Sequence, residues 1–441
     1  MLDFTVEPEF AAKLEWMERF VKEECEPLDL LFPHGGDPYD VRNQKSRAII
    51  KPLQEEVRRQ GLWACHLGPE LGGPGYGQVK LAYMNEILGR SYWAPTVFGT
   101  AAPDTGNAEI LAMFGTDEQK ERYLQPLLDG DIVSSFSMTE PQAGADPKEF
   151  VCKAWRDGDE WVIEGEKWFS SNARHAAFLI VMAVTEPEAP PHARMSMLIV
   201  PTETPGIEIL RNVGTMDERT DPEHDEGIHG YIRYNRVRVP LDAMLGGPGQ
   251  GFAVAQARLG GGRVHHAMRT VGKCRRAFDM MCERALSRRT QGEVLARKQA
   301  VQEFIAESWI ELQQYRLLVL HTAWIIDTQP HGAARTQIAA CKVAMAKILR
   351  EIIQRSLHLH GSLGTTSELP LAGWWMGVPS LALADGPTEV HRTTIAKQVL
   401  KDYKPADGLF PSEHIPPRLA AVRAKYADVI ADESLVGSVN A

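Results

Sequence analysis

The sequence lacks several features that mark secreted and metal-binding proteins. Among its 441 residues are only six cysteines, and no two of them form a C-x-x-C pair. Scattered cysteines of this kind are typical of the reduced thiols of a cytosolic enzyme. They are therefore predicted to be small buried side chains rather than disulfides or metal ligands.

Long hydrophobic runs and targeting segments are also missing. Strongly apolar stretches such as AAFLIVMAV, at 176–184, have about half of the roughly 20 residues that a membrane helix needs. Such a run suits a buried strand, so no membrane span is predicted. The first ten residues, MLDFTVEPEF, contain neither a basic segment nor an apolar core. No secretory signal is therefore visible, and a cytoplasmic location is expected.

Basic residues are outnumbered by acidic ones. The 48 lysines and arginines and 58 aspartates and glutamates give a net charge of −10, which repels the phosphate backbone of nucleic acid. The apolar share of 44% and the charged share of 24% are ordinary for a globular protein. A chain of this length is expected to form about two to four domains, and three are predicted.

The spacing of apolar residues separates helical regions from a β region. Segments of the first third, such as AAKLEWMERFVKEECEPL, repeat apolar residues every three or four positions, which predicts helices. After Gly251, helical segments are predicted at about 252–287, 296–328, 333–360 and 387–403. The regions are predicted as an N-terminal α-helical domain at 1–130, a middle β-barrel or sandwich domain at 131–245, a C-terminal four-helix bundle at 246–405 and a peripheral tail at 406–441.

Short runs rich in β-branched and aromatic residues fill the middle of the chain. The clearest hairpin is VCKAW and WVIEGEKWF around RDGDE, where Asp157-Gly158 suits the positive-φ turn between antiparallel strands. The other predicted strands are AAFLIVMAV, RMSMLIVPT, GIEILRN and GYIRYNRVRVP. The fold class is therefore mostly α with a β-domain.

Two segments of the β region could hold a flat heterocycle. SSFSMTEPQAGAD, at 134–146, places small residues, a Thr hydroxyl and backbone amides in a bend after a strand. It also fits an ordinary turn at a domain junction. EGEKWFSSNAR, at 164–174, follows an aromatic pair with two serines and an asparagine. These aromatic residues could equally belong to the core.

Three later segments could hold phosphate or a catalytic acid. RALSRRTQG, at 284–292, carries arginines that bind pyrophosphate well, or simply a solvated helix end. RSLHLHGSLGTTSELPL, at 355–371, has a glycine loop whose amides could face phosphate. LALADGPTEVHRTTIAKQVL, at 381–400, puts Asp385 after an apolar run, where a desolvated carboxylate could act as a base or cap the next helix.

The order and spacing of these segments resemble the acyl-CoA dehydrogenase family over about residues 5–405. The matching segments are SMTEPQAGAD, GEKWFSSNA, SRRTQG, HGSLG and DGPTEVHR. The resemblance implies an FAD enzyme that oxidises an acyl-CoA to a trans-2-enoyl-CoA and passes electrons to an electron-transferring flavoprotein. It also implies a homodimer or homotetramer, because the family's arginine in SRRTQG reaches the FAD of a neighbouring subunit.

The resemblance assigns cofactor-binding residues in three groups. The two β-region segments contribute Phe136, Met138, Thr139, Phe169 and Ser171. Arg288, Thr290, Gln299 and the loop of His358, Gly361 and Ser362 form the group that includes the contacts to a neighbour's FAD. Pro387 and Glu389, which follow the base, are the third group. For the substrate, the match points to Ala145 in place of a family serine, and to Arg263, Gly386 and Lys397.

The main departure from the family is the base. Relatives usually have a glutamate in a Y-E-G-T segment, whereas this chain reads A-D-G-P at 384–387. The resemblance therefore gives proton abstraction to Asp385, whose shorter side chain must still reach a near-attack distance of about 3 to 3.5 Å. Some relatives place the glutamate before the arginine of an earlier helix, where this chain has Gly262 before Arg263. The D-G-P form is similar to a subgroup that in animals is fused to a kinase-like domain.

The mechanism that the resemblance implies is concerted or nearly so. Asp385 takes the α-proton while the β-hydrogen leaves as hydride to the flavin. The thioester oxygen is stabilised by the backbone N–H of Asp385 and a ribityl hydroxyl of FAD.

Three alternatives to a dehydrogenase remain at this stage. One is an oxidase of acyl-CoA or of a nitroalkane, because nitroalkane oxidases resemble this family and use an aspartate base. Another is a flavin-binding homologue without activity. A metal enzyme is suggested by Asp221, His224, Asp225 and His229 in DERTDPEHDEGIHG, but the spacing fits no strong metal signature, so a solvated loop is predicted there.

Overall fold

A computed structural model describes residues 5–32, 37–216, 227–330 and 332–432. The chain divides into two units, Met1–Thr394 and Ile395–Ala441. The first unit contains the β-sheet and the long helices. The second contains the end of helix Thr388–Val399 and two short helices.

Helices occupy most of the chain before and after a central β region. In the described ranges the α-helices are α1 (Pro8–Phe20), α2 (Leu28–Leu31), α3 (Gln44–Arg59), α4 (Gly77–Leu88), α5 (Ala94–Val97), α6 (Asp104–Phe114), α7 (Asp117–Gln119), α8 (Gln125–Leu128), α9 (Gly251–Ser287), α10 (Gln299–Thr328), α11 (Arg335–His360), α12 (Leu371–Leu383), α13 (Thr388–Val399), α14 (Ile415–Lys425) and α15 (Ala427–Ala431).

Among the described residues, the β region forms an eight-stranded sheet, and a separate short ribbon lies between α9 and α10. The strands are β1 (Ser134–Ser137), β2 (Lys153–Asp157), β3 (Glu160–Ser171), β4 (Phe178–Val184), β5 (Met195–Pro201), β6 (Ile207–Val213), β7 (His229–Pro240), β8 (Met244–Leu245), β9 (Arg289–Thr290) and β10 (Glu293–Val294). The sheet has the order β6-β7-β3-β2-β4-β5-β8, and β1 pairs in parallel with β4. The strands β9 and β10 form the ribbon.

The apolar run at 176–184 becomes the buried strand β4, as predicted. Every residue of β4 is buried. Because successive side chains point to opposite faces of a sheet, Phe178, Ile180 and Met182 pack with residues of α6 and α9. Leu179 and Val181 pack on the other face with residues of β7. Strand β4 therefore separates two apolar clusters.

The predicted hairpin is also present. Strands β2 and β3 pair antiparallel up to Asp157 and Glu160, and Gly158 in the turn has φ +64°. Strand β3 continues to Ser171 along β7, which leaves its far end beside the loop that follows β1. The turn between β2 and β3 thus sets the pairing of β3, which carries the GEKWFSSNA segment to the loop after β1.

Three long helices after the sheet, α9, α10 and α11, pack against one another. Helix α4 from the N-terminal region packs on α9 and α10, and α12 packs on α11. The helical segments predicted after Gly251 are confirmed as α9, α10, α11 and α13. Helix α12 was not predicted as a separate helix, because Pro379 and two glycines interrupt its helical pattern.

A pair of glycines lets α4 and α9 approach closely. A Cβ atom on Gly272 would lie 1.9 Å from the carbonyl oxygen of Glu86, and one on Gly89 would lie 1.9 Å from that of Arg269. Neither distance is compatible with a side chain, so the two backbones are in direct contact. This contact fixes the position of α9 beside α4.

A buried ion pair anchors the loop after β1. The carboxylate of Glu140 accepts hydrogen bonds from the backbone N–H groups of Val151 and Cys152, at 2.7 and 3.0 Å, and from Lys167 Nζ at 2.8 Å. Lys167 Nζ also donates to the carbonyl of Met138 at 2.7 Å. Both charged side chains are almost completely inaccessible to solvent. The pair ties both ends of the loop to β3.

Within the described ranges, none of the helices combines the length and the hydropathy needed to span a membrane. The domain boundaries near residues 130, 245 and 405 remain our proposal for how the chain is organised.

Replacing Gly272 by alanine should destabilise the protein. The added methyl group collides with the backbone of α4, and such overpacking costs about 1–3 kcal/mol or more. Gly260→Ala is the matched control, because it adds the same group to the same helix and meets nothing within 4 Å. That control should stabilise by about 0.5–1 kcal/mol through helix propensity. Urea unfolding followed by circular dichroism measures both, and equal midpoints for the two variants would contradict the close contact.

Replacing Lys167 by methionine should strongly destabilise the protein, because it leaves the Glu140 carboxylate buried without its cation. Losing one partner of a buried pair costs about 3–5 kcal/mol. Glu164→Gln is the control, since its partner Lys153 lies 3.7 Å away and both side chains are about half exposed. Thermal unfolding should show a large decrease in Tm only for Lys167→Met. Similar Tm values for both variants would count against an anchoring role.

Candidate active site

A large cleft opens in the first unit. Its volume is about 3000 Å³, and its walls come from the loop after β1, the end of β3, one face of α9 and the connection between α12 and α13. The predicted site residues that line it are Phe136, Met138, Thr139, Ala145, Phe169, Ser171, Arg263, Asp385, Gly386 and Pro387. The fold therefore brings four separate segments of the sequence together.

The first two segments are joined by backbone hydrogen bonding. The N–H of Trp168 donates to the carbonyl of Thr139 at 3.0 Å. Together with the contact from Lys167 to Met138, this holds the loop after β1 against β3. Two stretches that are about 30 residues apart in sequence thus form one wall of the cleft.

This wall combines aromatic rings with hydroxyl groups. Phe169 has φ +55° and is 41% exposed, which is unusual for a phenylalanine inside a strand. The guanidinium carbon of Arg258 lies 4.0 Å above the ring of Phe136. The hydroxyl of Ser171 lies 2.8 Å from Nδ1 of His229. The positive φ presents the Phe169 side chain on the cleft beside Ser171.

His229 belongs to the segment that was considered as a metal site. It lies at the start of β7, with its imidazole on Ser171. Asp221, His224 and Asp225 lie outside the described residues. Among the residues that the structure describes, no three His, Cys, Asp or Glu side chains are grouped to hold a metal ion.

The aromatic wall fits FAD. An exposed apolar ring next to Thr139 and Ser171 hydroxyls suits the flat ring of a flavin, which has apolar faces and a polar edge. The cleft volume is also large enough for a dinucleotide and a second ligand. Phe136, Met138, Thr139, Phe169 and Ser171 would therefore hold the flavin.

The loop that carries Asp385 is fixed from three sides. Asp385 has φ +56°, and its carbonyl accepts a hydrogen bond from Arg263 Nε at 2.8 Å. Nε2 of His391 lies 3.3 Å from the same oxygen. Lys342 Nζ donates to the carbonyl of Leu381 at 2.6 Å, which satisfies one of the last carbonyls of α12. These contacts hold Asp385 in a left-handed conformation that few residues adopt.

The carboxylate of Asp385 faces α9. Its Oδ2 lies 3.8 Å from Nε2 of His266. A Cβ atom added to Gly262 would lie 3.5 Å from the same Oδ2. Gly262 and His266 are four residues apart and therefore lie on one face of the helix. The carboxylate thus sits over a surface that has no side chain at one end and an imidazole at the other.

Basic groups surround this carboxylate. Burial lowers the pKa of His266 to about 4, so its imidazole is uncharged at neutral pH. Burial also lowers the pKa of Lys342 to about 8, against an opposing effect of Asp385. Burial likewise lowers the pKa values of Arg258 and Arg263, again opposed by Asp385. The site therefore places one carboxylate among several buried cations.

A second group of predicted residues lies away from the cleft. Ala285 in α9, Val301 in α10 and Leu359 in α11 pack together at one end of the helices. This packing gathers the ends of three helices. The predicted residues at or next to these ends are exposed, and they are Arg288, Thr290, Gln299, His358, Gly361 and Ser362. The structure thus forms two separate surfaces from the predicted site residues.

Two predicted residues lie elsewhere. The side chain of Glu389 is 75% exposed and lies outside the cleft lining. Lys397 belongs to the second unit.

Several polar residues around Asp385 were not among the predicted site residues, namely Arg258, His266, Lys342 and His391. A signal existed for His266, which follows Arg263 by three positions and Gly262 by four on the same predicted helix. Lys342 lies in the middle of a predicted helix and looks like a surface lysine, yet it is buried. Its role depends on where α12 ends, which the sequence did not reveal.

Models of the three acyl-CoA dehydrogenase domains match in chain order: the N-terminal domain at 9–131, the middle domain at 135–225 and the C-terminal domain at 249–400. The chain is also similar in fold to the solved butyryl-CoA dehydrogenase of Megasphaera elsdenii, with a TM-score of 0.76 at 23% identity, covering 90% of this chain and 100% of that one.

The chain is 40% identical over 361 residues to acyl-CoA dehydrogenase family member 11 of Rattus norvegicus, covering 80% of this chain and 45% of that protein. It thus spans about half the length of that curated relative. It is 40% identical to a Mycobacterium tuberculosis protein named as acyl-CoA dehydrogenase FadE2, covering 81% of this chain and 86% of that protein. A solved protein of Mycobacterium abscessus, described as an acyl-CoA dehydrogenase, matches with a TM-score of 0.82 at 38% identity, covering 91% of this chain and 100% of that one. With all three domains matched and most of two relatives covered, the chain belongs to the acyl-CoA dehydrogenase family.

Proposed function

We propose that the protein catalyses the FAD-dependent α,β-dehydrogenation of an acyl-CoA thioester to the trans-2-enoyl-CoA. FAD is the cofactor of this family. The observation that carries the proposal is the carboxylate of Asp385, which lines the same cleft as the aromatic wall at Phe169 and Ser171. A base and a flavin site that share one cleft are what abstraction of a proton next to a thioester requires.

Asp385 removes the α-proton of the substrate. The chemistry that bound FAD would supply is hydride acceptance from the β-carbon. The loop contacts from Arg263, His391 and Lys342 keep the carboxylate in place, which reduces the entropic cost of reaching the near-attack geometry. The backbone N–H of Asp385 donates to the thioester oxygen and stabilises the negative charge that develops there.

The cleft is suited to an anionic ester of coenzyme A. One face of α9 carries cationic residues along the cleft, and these are Arg263, Arg269, Lys273 and Arg276. They line the cleft although the whole chain has a net charge of −10. Basic side chains outnumber acidic ones in the lining of the cleft, and such an excess of one charge concentrates ligands of the opposite sign. Ala145, Arg263 and Gly386 bind the substrate there. For Lys397, which belongs to the second unit, the substrate role rests on the resemblance alone.

The second surface binds the FAD of a neighbouring subunit. Arg288 supplies the guanidinium for the pyrophosphate, because a planar fork pairs well with phosphate oxygens. Thr290, Gln299 and the loop of His358 to Ser362 complete the contacts, and Pro387 and Glu389 are proposed FAD contacts that follow the base in sequence. The proposal therefore includes a homodimer or homotetramer, with an electron-transferring flavoprotein as the electron acceptor.

Asp385→Asn should abolish reduction of the flavin by substrate. The amide has nearly the same shape and tolerates positive φ, but it cannot accept a proton. General base catalysis supplies about 10²–10⁴-fold, so a loss of at least about 100-fold is expected. The measurement is anaerobic mixing of FAD-loaded protein with a panel of acyl-CoA esters, following the visible flavin band.

Bleaching of the wild-type flavin by a thioester, with none in Asp385→Asn, is the expected outcome. If no thioester bleaches the wild-type flavin, the dehydrogenase proposal is wrong and a nitroalkane substrate is the next to try. Rapid reoxidation of the reduced flavin by dioxygen, in place of transfer to an electron-transferring flavoprotein, would identify an oxidase.

Arg288→Ala should weaken FAD retention without changing the cleft. Removing a charge-assisted contact to phosphate costs about 1.5–3 kcal/mol, or roughly 10- to 150-fold in FAD affinity. Arg289→Ala is the matched control, because Arg289 is adjacent and donates instead to the carbonyl of Gly292. The FAD to protein ratio after dialysis distinguishes them. Equal retention in both variants would remove the neighbouring-subunit site from the proposal.

A further inference from the structure

The carboxylate of Asp385 is bracketed by two positions of α9. On one side is Gly262, where an added Cβ would lie 3.5 Å from Oδ2. On the other is His266, whose Nε2 lies 3.8 Å from the same atom. Asp385 and His266 line the cleft, and Gly262 faces the carboxylate of Asp385. The carboxylate therefore has open space over the glycine and a wall at the imidazole.

The available space matches aspartate and is too short for glutamate on the same path. One additional methylene extends the side chain by about 1.5 Å. Subtracting this from the 3.8 Å separation leaves about 2.3 Å, which is shorter than the roughly 2.7 Å of a normal hydrogen bond. A glutamate at position 385 would have to bend away from the imidazole, and so away from the position that the aspartate carboxylate occupies.

The loop gives little freedom to compensate. The carbonyl of Asp385 is held by Arg263 at 2.8 Å, with His391 at 3.3 Å, and its φ is +56°. A longer side chain therefore cannot be accommodated by withdrawing the backbone without breaking these contacts. The main adjustable partner of the carboxylate is the side chain of His266, which is one-third exposed.

We propose that His266 is a positioning residue that sets the length of the catalytic base, because its imidazole fills the space that a glutamate at position 385 would need. The proposal rests on the proposed function, in which Asp385 is the base. His266 acts through shape, since its Nε2 lies 3.8 Å from Oδ2 of Asp385, beyond normal hydrogen-bond distance. The aspartate in the A-D-G-P segment and the histidine on α9 are thus a matched pair.

The test is a double-mutant cycle of wild type, Asp385→Glu, His266→Ala and the double variant. Each FAD-loaded protein is mixed anaerobically with an acyl-CoA that reduces the wild type, and the rate of flavin reduction at saturation is measured. Asp385→Glu should lose at least about 10-fold, because the carboxylate is displaced from the near-attack distance. His266→Ala should lose a similar factor, because the carboxylate gains room to move.

The double variant should recover part of the lost rate of flavin reduction. Its rate should exceed the product of the two single effects by at least about 10-fold, which is a coupling of about 1.4 kcal/mol. The half-saturating concentration of the acyl-CoA should stay within about 2-fold in all four proteins, because substrate affinity is not the affected step. A merely structural role for His266 would make the double variant worse than either single one.

His265→Ala is the matched control. His265 is the preceding residue of the same helix and is buried against His66 rather than Asp385. Combining it with Asp385→Glu should give multiplied losses and no rescue. The FAD to protein ratio and unfolding midpoint of every variant show whether a loss comes from misfolding.

A second readout is independent of turnover. In protein labelled with ¹⁵N-histidine, Asp385→Glu should shift the Nε2 resonance of His266 and leave that of His265 unchanged. Rates that multiply without rescue, or an unshifted His266 resonance, would overturn the proposal. If the wild-type flavin is not reduced by any acyl-CoA, the proposed function fails instead, and the resonance alone then decides whether the imidazole contacts residue 385.

Discussion

The position of one helix, α9, determines the geometry of the site. Its first turns pack through Val254 and Ala255 into the cluster under β4, and its middle packs through residues such as Ala267 and Val271 into the core of the helices. Its last turns belong to a third cluster, through Ala285. A helix that is packed into three apolar clusters has little freedom to rotate or to slide along its axis. The residues between the first two clusters therefore have fixed positions in the cleft.

The close contact with α4 adds to this restraint. Because Gly272 brings the backbone of α9 against that of α4, the helix cannot move toward its neighbour or admit a larger residue. Gly262, Arg263 and His266 lie about one to three turns earlier in the same helix, so the contact with α4 also restrains their positions. A base with a short side chain depends on such precision, since a displacement of about 1 Å can cost 100-fold in rate. The distance between Asp385 and α9 therefore depends on how the apolar residues of α9 are packed.

The two walls of the cleft are held by different means. The loop after β1 is fixed by the buried pair of Glu140 and Lys167, so its position depends on charges that are shielded from water. The loop of Asp385 is fixed by side chains from α9 and α11, Arg263 and Lys342, that bond to backbone carbonyls. The aromatic wall is therefore attached to the sheet and the proposed base, Asp385, to the helices. The cleft lies where these two sets of elements meet.

Most secondary structure could be predicted because its signals are local. The continuous apolar run AAFLIVMAV, the Asp157-Gly158 turn and the spacing in α9 to α11 each depend on a few residues of sequence. Helix α12 was missed because Pro379 and its glycines weaken a local pattern that is restored by packing on α11. The resemblance supplied the site residues, but the geometry that relates them was not accessible from one sequence.

By itself the sequence determined the helical and β regions, the four segments that line the cleft, and an aspartate where relatives have a glutamate. Only the tertiary structure decided that Gly262 leaves room for that carboxylate, that His266 closes the space beyond it, and that Lys342 is buried against Leu381. The physical reason is the separation along the chain of the residues that determine each feature. Turns and periodicities depend on neighbours along the chain, whereas a distance of 3.8 Å between residues 266 and 385 depends on the packing of every helix between them.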